Sequence, residues 1–145
     1  MIQRISFEQV RLEGGDLFSE YAAECAFADI GPPHPQWDIY AALEAAGVLI
    51  VLAAYVDGVM AGFASVIVSI LPHYGIKVGT VESLFVGTQY RNRGAGSCLR
   101  RAVRAAASAA GCKRLFTSAP AGSRLERILE HGSHRTNSVF CETLA

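Results

Sequence analysis

The segment Val81-Glu82-Ser83-Leu84-Phe85-Val86-Gly87-Thr88-Gln89-Tyr90-Arg91-Asn92-Arg93-Gly94-Ala95-Gly96-Ser97-Cys98-Leu99 carries the most informative chemistry in the chain. An apolar stretch runs into a turn, and the turn opens a helix at two glycines. The first amides of a helix lack intrahelical partners and carry partial positive charge along the axis. Glycines beside them let an anion approach the backbone, which is how helix starts hold phosphate. The charge pattern agrees: residues 83–125 contain eight bases and no acid, and Glu82 is the sole acid between Gly58 and Leu125. The 145-residue chain is neutral as a whole, yet residues 1–58 carry a net −7 and residues 59–145 a net +7. Such asymmetry points to a polyanion as partner of the second half.

Two nucleotide cradles fail on their residues. A Walker A loop needs Lys-Ser/Thr after its last glycine, and Ser97-Cys98 stands there. A dinucleotide fingerprint needs a third glycine three residues after Gly96, where Leu99 stands, and an acid about twenty residues further on, in a region that has none. Other reactive groups point to less. His131 and His134 share a polar loop without a nearby pair of acid or thiol ligands, so no metal is expected. Cys25, Cys98, Cys112 and Cys141 form no C-x-x-C pair, which speaks against a disulfide framework and fits a reducing, cytoplasmic setting. Cys98 reads as a small core residue, with an acyl-carrying thiol as the alternative.

These groups need a scaffold. A chain of this length, 51% hydrophobic and 18% charged, can bury a core and is expected to be one domain, residues 1–145. The charged N-terminus does not read as a signal peptide. Residues 2–12 alternate enough to predict a first strand, and Gly14-Gly15-Asp16 opens a helix to about Phe27. Three prolines in residues 31–35 forbid regular structure, and a short helix over 36–46 ends at Gly47. Residues 48–71 hold one charge, Asp57, so a membrane span must be weighed. Asp57-Gly58 near the middle, between β-branched runs, predicts a hairpin instead, and no membrane partner is expected. A third strand over 77–86, a helix over 94–110 closed by Gly111, a strand over 113–118, a helix over 122–130 and a last strand over 135–144 complete the order. The strand–helix–strand passage is a right-handed parallel crossover. The fold class is therefore α/β (α+β), a mixed sheet with an antiparallel meander that turns parallel at its most basic segment.

Arg91-Asn92-Arg93-Gly94-Ala95-Gly96 resembles motif A of the GNAT superfamily of N-acetyltransferases, Q/R-x-x-G-x-G/A after a strand. Glu82-Ser83-Leu84-Phe85-Val86 resembles the acid-x-Leu-aromatic-Val ending of that family's fourth strand. The element order is similar too: strand, two helices, three-strand meander, motif helix, strand, helix, strand. The resemblance implies a GNAT-like, mostly antiparallel twisted sheet with helices on both faces. It implies acetyl-CoA as donor, with pyrophosphate on the amides around Asn92, Arg93, Gly94, Ala95, Gly96 and Ser97, pantetheine along Leu84, Phe85 and Val86, and Arg91 and Arg93 among the bases that steer the donor or meet its phosphates. Arg100, Arg101 and Arg104 either steer the anion or form the wet face of an amphipathic helix packed through Leu99, Val103 and Ala107.

The chemistry so implied is direct attack of a primary amine on the thioester. An alkylammonium is no nucleophile until deprotonated, and Glu82 stands where the family often keeps a base; a structural ion pair with an arginine is the alternative role. A strand amide near Phe85 or Val86 would polarise the carbonyl. His34, Trp37, His73 and Tyr74 fall in the two segments that flank the acceptor channel in a GNAT-like fold, as substrate contacts or as loop anchors. One departure matters: where many members carry the tyrosine that protonates the leaving thiolate, this chain has Ile128, and no tyrosine follows Tyr90. Ser118, Ser123 or water serves as acid, or none is needed, or the chain binds CoA without turnover. Nucleic acid is not an expected partner, since Phe and Tyr are absent between Arg91 and Arg114 and bases would find no stacking platform. Apolar strands near the chain's end make a homodimer conceivable.

Overall fold

The computed structural model describes residues 1–27 and 29–144. Five strands, β1 (Ile2–Arg4), β2 (Leu49–Val56), β3 (Val59–Leu71), β4 (Ile76–Val86) and β5 (Arg114–Thr117), form one sheet in the order β1-β2-β3-β4-β5. The first three pairings are antiparallel, and β4–β5 is parallel. The hairpin at Asp57-Gly58 forms because both residues adopt positive φ, +50° and +78°, the condition of the tight turn that matches strand twist. Period-two alternation splits the apolar strand residues between two cores. Leu49, Val51 and Phe63 pack beneath α1 (Phe7–Glu13), α2 (Gly15–Glu24) and α3 (Trp37–Ala45). Ile50, Leu52, Ala64 and Val66 pack beneath α4 (Ala95–Ala109) through its buried Leu99 and Val103. A short turn of 3-10 helix (Thr88–Tyr90) precedes α4, and α5 (Arg124–Glu130) follows β5. No helix among the described residues is long and apolar enough to cross a membrane.

Three expectations need correction. The first strand ends at Arg4, because Ser6 accepts the amide of Gln9 and caps α1, whose Phe7 and Val10 are buried one helical turn apart. Three helices therefore precede the meander rather than two. Residues 135–144 form no strand: they are exposed and have no ladder partner, and β5 is the last strand of the sheet. Arg135 is tied to Glu126 and Glu130 of α5, at 2.7 and 3.5 Å, which holds the start of this segment to a helix instead of a strand edge.

Candidate functional site

The turn into α4 is built largely from backbone. Gly94 takes φ +85° at the N-cap of α4, where a side chain would be strained, and no side chain caps the helix. The amide of Cys98 closes the first helical bond onto the Gly94 carbonyl, so the amides just before it are left without intrahelical partners. Asn92 also has positive φ, +65°, a second left-handed residue in this turn. A Cβ at Gly94 would meet open space, and one at Gly96 would only touch Val86 at 3.8 Å, so both glycines sit beside a clear approach. Arg93 and Ser97 are exposed at this mouth, and Ala95 is half-buried.

Side chains fix the turn from behind. Arg91 donates from Nε to the Val86 carbonyl at 2.9 Å and from Nη2 to Glu24 of α2 at 2.6 Å, while its guanidinium lies over the Phe85 ring. Glu20, one helical turn earlier, accepts the Thr88 amide at 3.0 Å. Arg124 of α5 holds the Asn92 side-chain oxygen. Arg91 thus supports the turn through its side chain, which is engaged within the protein. On α4, Arg101 and Arg104 are exposed opposite the buried Leu99, Val103 and Ala107, the arrangement of a wet helix face.

β4 carries the other half. Ser65 of β3 pairs with Ser83, but the next residue, Val66, pairs with Val81, so Glu82 is the extra residue of a β-bulge. Val81, Leu84 and Val86 pack toward α4, whereas Phe85 is buried toward α1–α3. Without the bulge, strict alternation would send Glu82 to the α4 face with Leu84; with it, Glu82 joins Ser83 and Phe85 on the opposite face. There its two oxygens accept from Tyr40 of α3 and from Ser65, each at 2.6 Å. Ser65 and Ser83 also share a 2.6 Å hydroxyl contact. Burial, then the hydrogen bond and charge of Glu82, push the Tyr40 phenol far above its ordinary range. The Tyr21 phenol is pushed up to about 12, chiefly by burial and then by Cys25 and Glu82. Pairing of β5 with β4 stops at Val81, so the far edge of β4 beside Glu82 and Leu84–Val86 is free of a strand partner among the described residues.

The four acceptor-side residues do not form one cluster. Trp37 opens α3 and packs against Phe7 and Phe18, with the Arg11 guanidinium 5.4 Å over its ring. His34 is exposed in the loop before it and contacts Gln36. His73 and Tyr74 stack edge-on upon each other in the β3–β4 turn. Six residues of β4, roughly 20 Å of strand, separate that turn from Glu82. Ile128 lies mid-helix in α5, 39% exposed, and Ser123 caps the same helix by accepting the Glu126 amide. Tyr40, Tyr21, Glu20 and Glu24 were not signalled by sequence, because each acts through a contact spanning 42 or more residues or through burial. Ser65, a lone hydroxyl in the apolar run Phe63-Ala64-Ser65-Val66, could have been: a buried polar group demands a partner.

Residues 16–127 match the model of the Acetyltransferase (GNAT) family, and the chain belongs to that family of acetyltransferases. Solved structures agree on the fold. A ribosomal-protein-alanine N-acetyltransferase from Brucella melitensis biovar Abortus 2308 superposes with a TM-score of 0.75 at 19% identity, covering 99% of both chains. An aminoglycoside acetyltransferase from an uncultured soil metagenomic sample, in complex with sisomicin, gives 0.73 at 15% identity, over 100% of this chain and 96% of the other. The aminoglycoside acetyltransferase AAC(6')-Iy, in complex with the bisubstrate analog CoA-S-monomethyl-acetylneamine, gives 0.73 at 18% identity, over 100% and 97%. No curated protein matches the sequence.

Proposed function

We propose that this chain is an N-acetyltransferase that moves an acetyl group from acetyl-CoA to a primary amine by direct attack within a ternary complex. The observation that carries the reading is the uncapped N-terminus of α4, opened by Gly94 at positive φ and placed at the end of the strand that carries Glu82. Amides around Asn92–Ser97 bind the donor's pyrophosphate, and the unpaired edge of β4 at Leu84–Val86 receives its pantetheine arm. A solved structure of the same fold, AAC(6')-Iy in complex with a CoA-containing bisubstrate analog, supports a CoA donor. Acetyl-CoA supplies the thioester carbon: the amine nitrogen bonds to it, the carbon–sulfur bond breaks, and CoA departs as thiolate. Glu82 takes the proton of the incoming ammonium, directly or through water, held in place by Tyr40 and Ser65. An amide near Phe85 or Val86 polarises the carbonyl. The nitrogen sheds its second proton as the amide forms; with Ile128 in place of the usual tyrosine, that proton passes through water to the departing thiolate or to solvent, and a thiol near pKa 8.5 is a good leaving group.

Thermal melting and thiol release test this together. Acetyl-CoA is expected to raise the melting temperature, and dephospho-CoA to raise it less. Thiol release is expected only when an amine is present, and to be lost in Glu82→Gln while the melting shift persists. No melting shift would remove the donor assignment. A shift without release for any amine would leave a CoA-binding module, the reading that Ile128 favours.

A further inference from the structure

On the α1–α3 side of the sheet, these helices and the proline-rich loop border an open groove of about 300 Å3, with no lining residue from β4 or from the turn into α4. Its walls are Phe18, Tyr21, Trp37, Pro33 and Pro35. Phe18 meets Trp37 edge-on at 5.9 Å and Tyr21 edge-on at 6.5 Å, so the aromatic wall is continuous. Tyr21 lies between the groove and the carboxylate: its ring meets the buried Phe85, three residues beyond Glu82 on β4, edge-on at 5.5 Å, and its phenol feels the Glu82 charge. One charged side chain lines the groove, the Arg11 guanidinium over Trp37, and no acid is among the described lining residues.

We infer that this groove seats the aromatic or branched apolar body of a monoamine acceptor, with the ammonium directed toward Glu82, and that polycationic amino sugars are poor acceptors. The amine end of this inference rests on the transferase reading; the body rests on the groove alone. Ligand pockets run from roughly 300 to 1,000 Å3, so this one takes a single ring on a short linker rather than a multi-ring sugar. Aromatic and proline walls reward burial of apolar surface and give hydroxyl groups few partners to replace water. Each further ammonium of an amino sugar would face Arg11 instead of a carboxylate. Within the groove itself no lining carboxylate meets a second ammonium.

Trp37 is the sole tryptophan of the chain and lies in the groove wall, so its emission reports occupancy without turnover. Titration of the full chain with 2-phenylethylamine, without donor, is expected to give a saturable change in Trp37 emission, and neamine none at tenfold higher concentration. Ala22→Leu, which fills the groove from α2 with a good helix former, is expected to weaken phenylethylamine at least tenfold with an unchanged melting temperature. Should that variant melt early, Arg11→Glu on the exposed end of α1 decides: neamine binding is expected to rise at least threefold and phenylethylamine to stay level. Saturable neamine binding to the unmodified chain, or no phenylethylamine response, overturns the inference. Phenylethylamine binding without thiol release in the presence of acetyl-CoA would instead overturn the transferase reading and leave the groove assignment standing. Release with neamine alone would do the reverse.

Discussion

The turn into α4 and the carboxylate on β4 lie a dozen residues apart in one strand–turn–helix, yet they are built by opposite means. The turn presents main-chain N–H groups, and its side chains Arg91 and Asn92 face backward onto Glu24, Val86 and Arg124. The carboxylate is a side chain whose surroundings, Tyr40 and Ser65, arrive from α3 and β3. One half is local and written in glycines; the other exists only after the sheet and helices have packed. Backbone sites tolerate most side-chain changes and fail on conformation, whereas the Glu82 network should fail on single atoms.

Substitutions can break that contrast. Glu82→Gln is expected to lower kcat/KM by about 10²- to 10³-fold, the usual weight of a general base, while the affinity for CoA measured by calorimetry stays within a factor of two. Gly94→Val forces a side chain into the left-handed region at a cost of about 1–2 kcal/mol, so CoA affinity is expected to fall roughly tenfold, with kcat at saturating donor nearly kept. If both variants lose the same parameter, the division into a backbone half and a side-chain half is wrong. Tyr40→Phe keeps the parallel stack on Phe7 at 3.7 Å and removes the bond to Glu82. Loss of one such bond is worth about 1 kcal/mol, so a fall of about fivefold in kcat/KM is expected, with little change in KM for the donor.

Two milder tests sharpen the contrast. Tyr21, Tyr40 and Tyr55 all have phenols raised by burial, with Tyr21 and Tyr55 at about 12. A raised pKa stabilises the fold fully below the unfolded value near 10 and loses that stabilisation as pH climbs through the folded value. Stability is therefore expected to fall between pH 10 and 12, with phenolate absorbance from Tyr21 and Tyr55 emerging near 12 in the folded chain. Absorbance rising wholly near 10 before unfolding would contradict the packed Glu82 face. Smallest of all, Glu24→Gln breaks an exposed pair with Arg91 and is expected to change stability by less than about 1 kcal/mol in denaturant titration.

Sequence revealed the parts that local rules decide. The hairpin at Asp57-Gly58, the helix closed by Gly111 and the glycine turn each depend on neighbours a few residues away, and each stands in the structure as expected. Family membership followed from one such local pattern. The errors came where pairing decides: residues 7–12 alternate well enough for a strand, but Ser6 and the burial of Phe7 and Val10 make them helical. Residues 135–144 have strand-forming residues and no strand beside them. Glu82 was legible as a lone acid, but its bulge was not, since a bulge is a property of two strands in register. Tyr40 lies 42 residues from the carboxylate it holds, and no spacing rule reaches that far.

One helix joins the turn to the aromatic groove. Through Glu20 and Glu24, α2 is latched to the turn before α4, and through Phe18 and Tyr21 it walls the groove. Ten residues thus touch both the turn and the groove. Were a ligand bound at each, reciprocity would require that whatever factor the first adds to the affinity for the second, the second returns to the first.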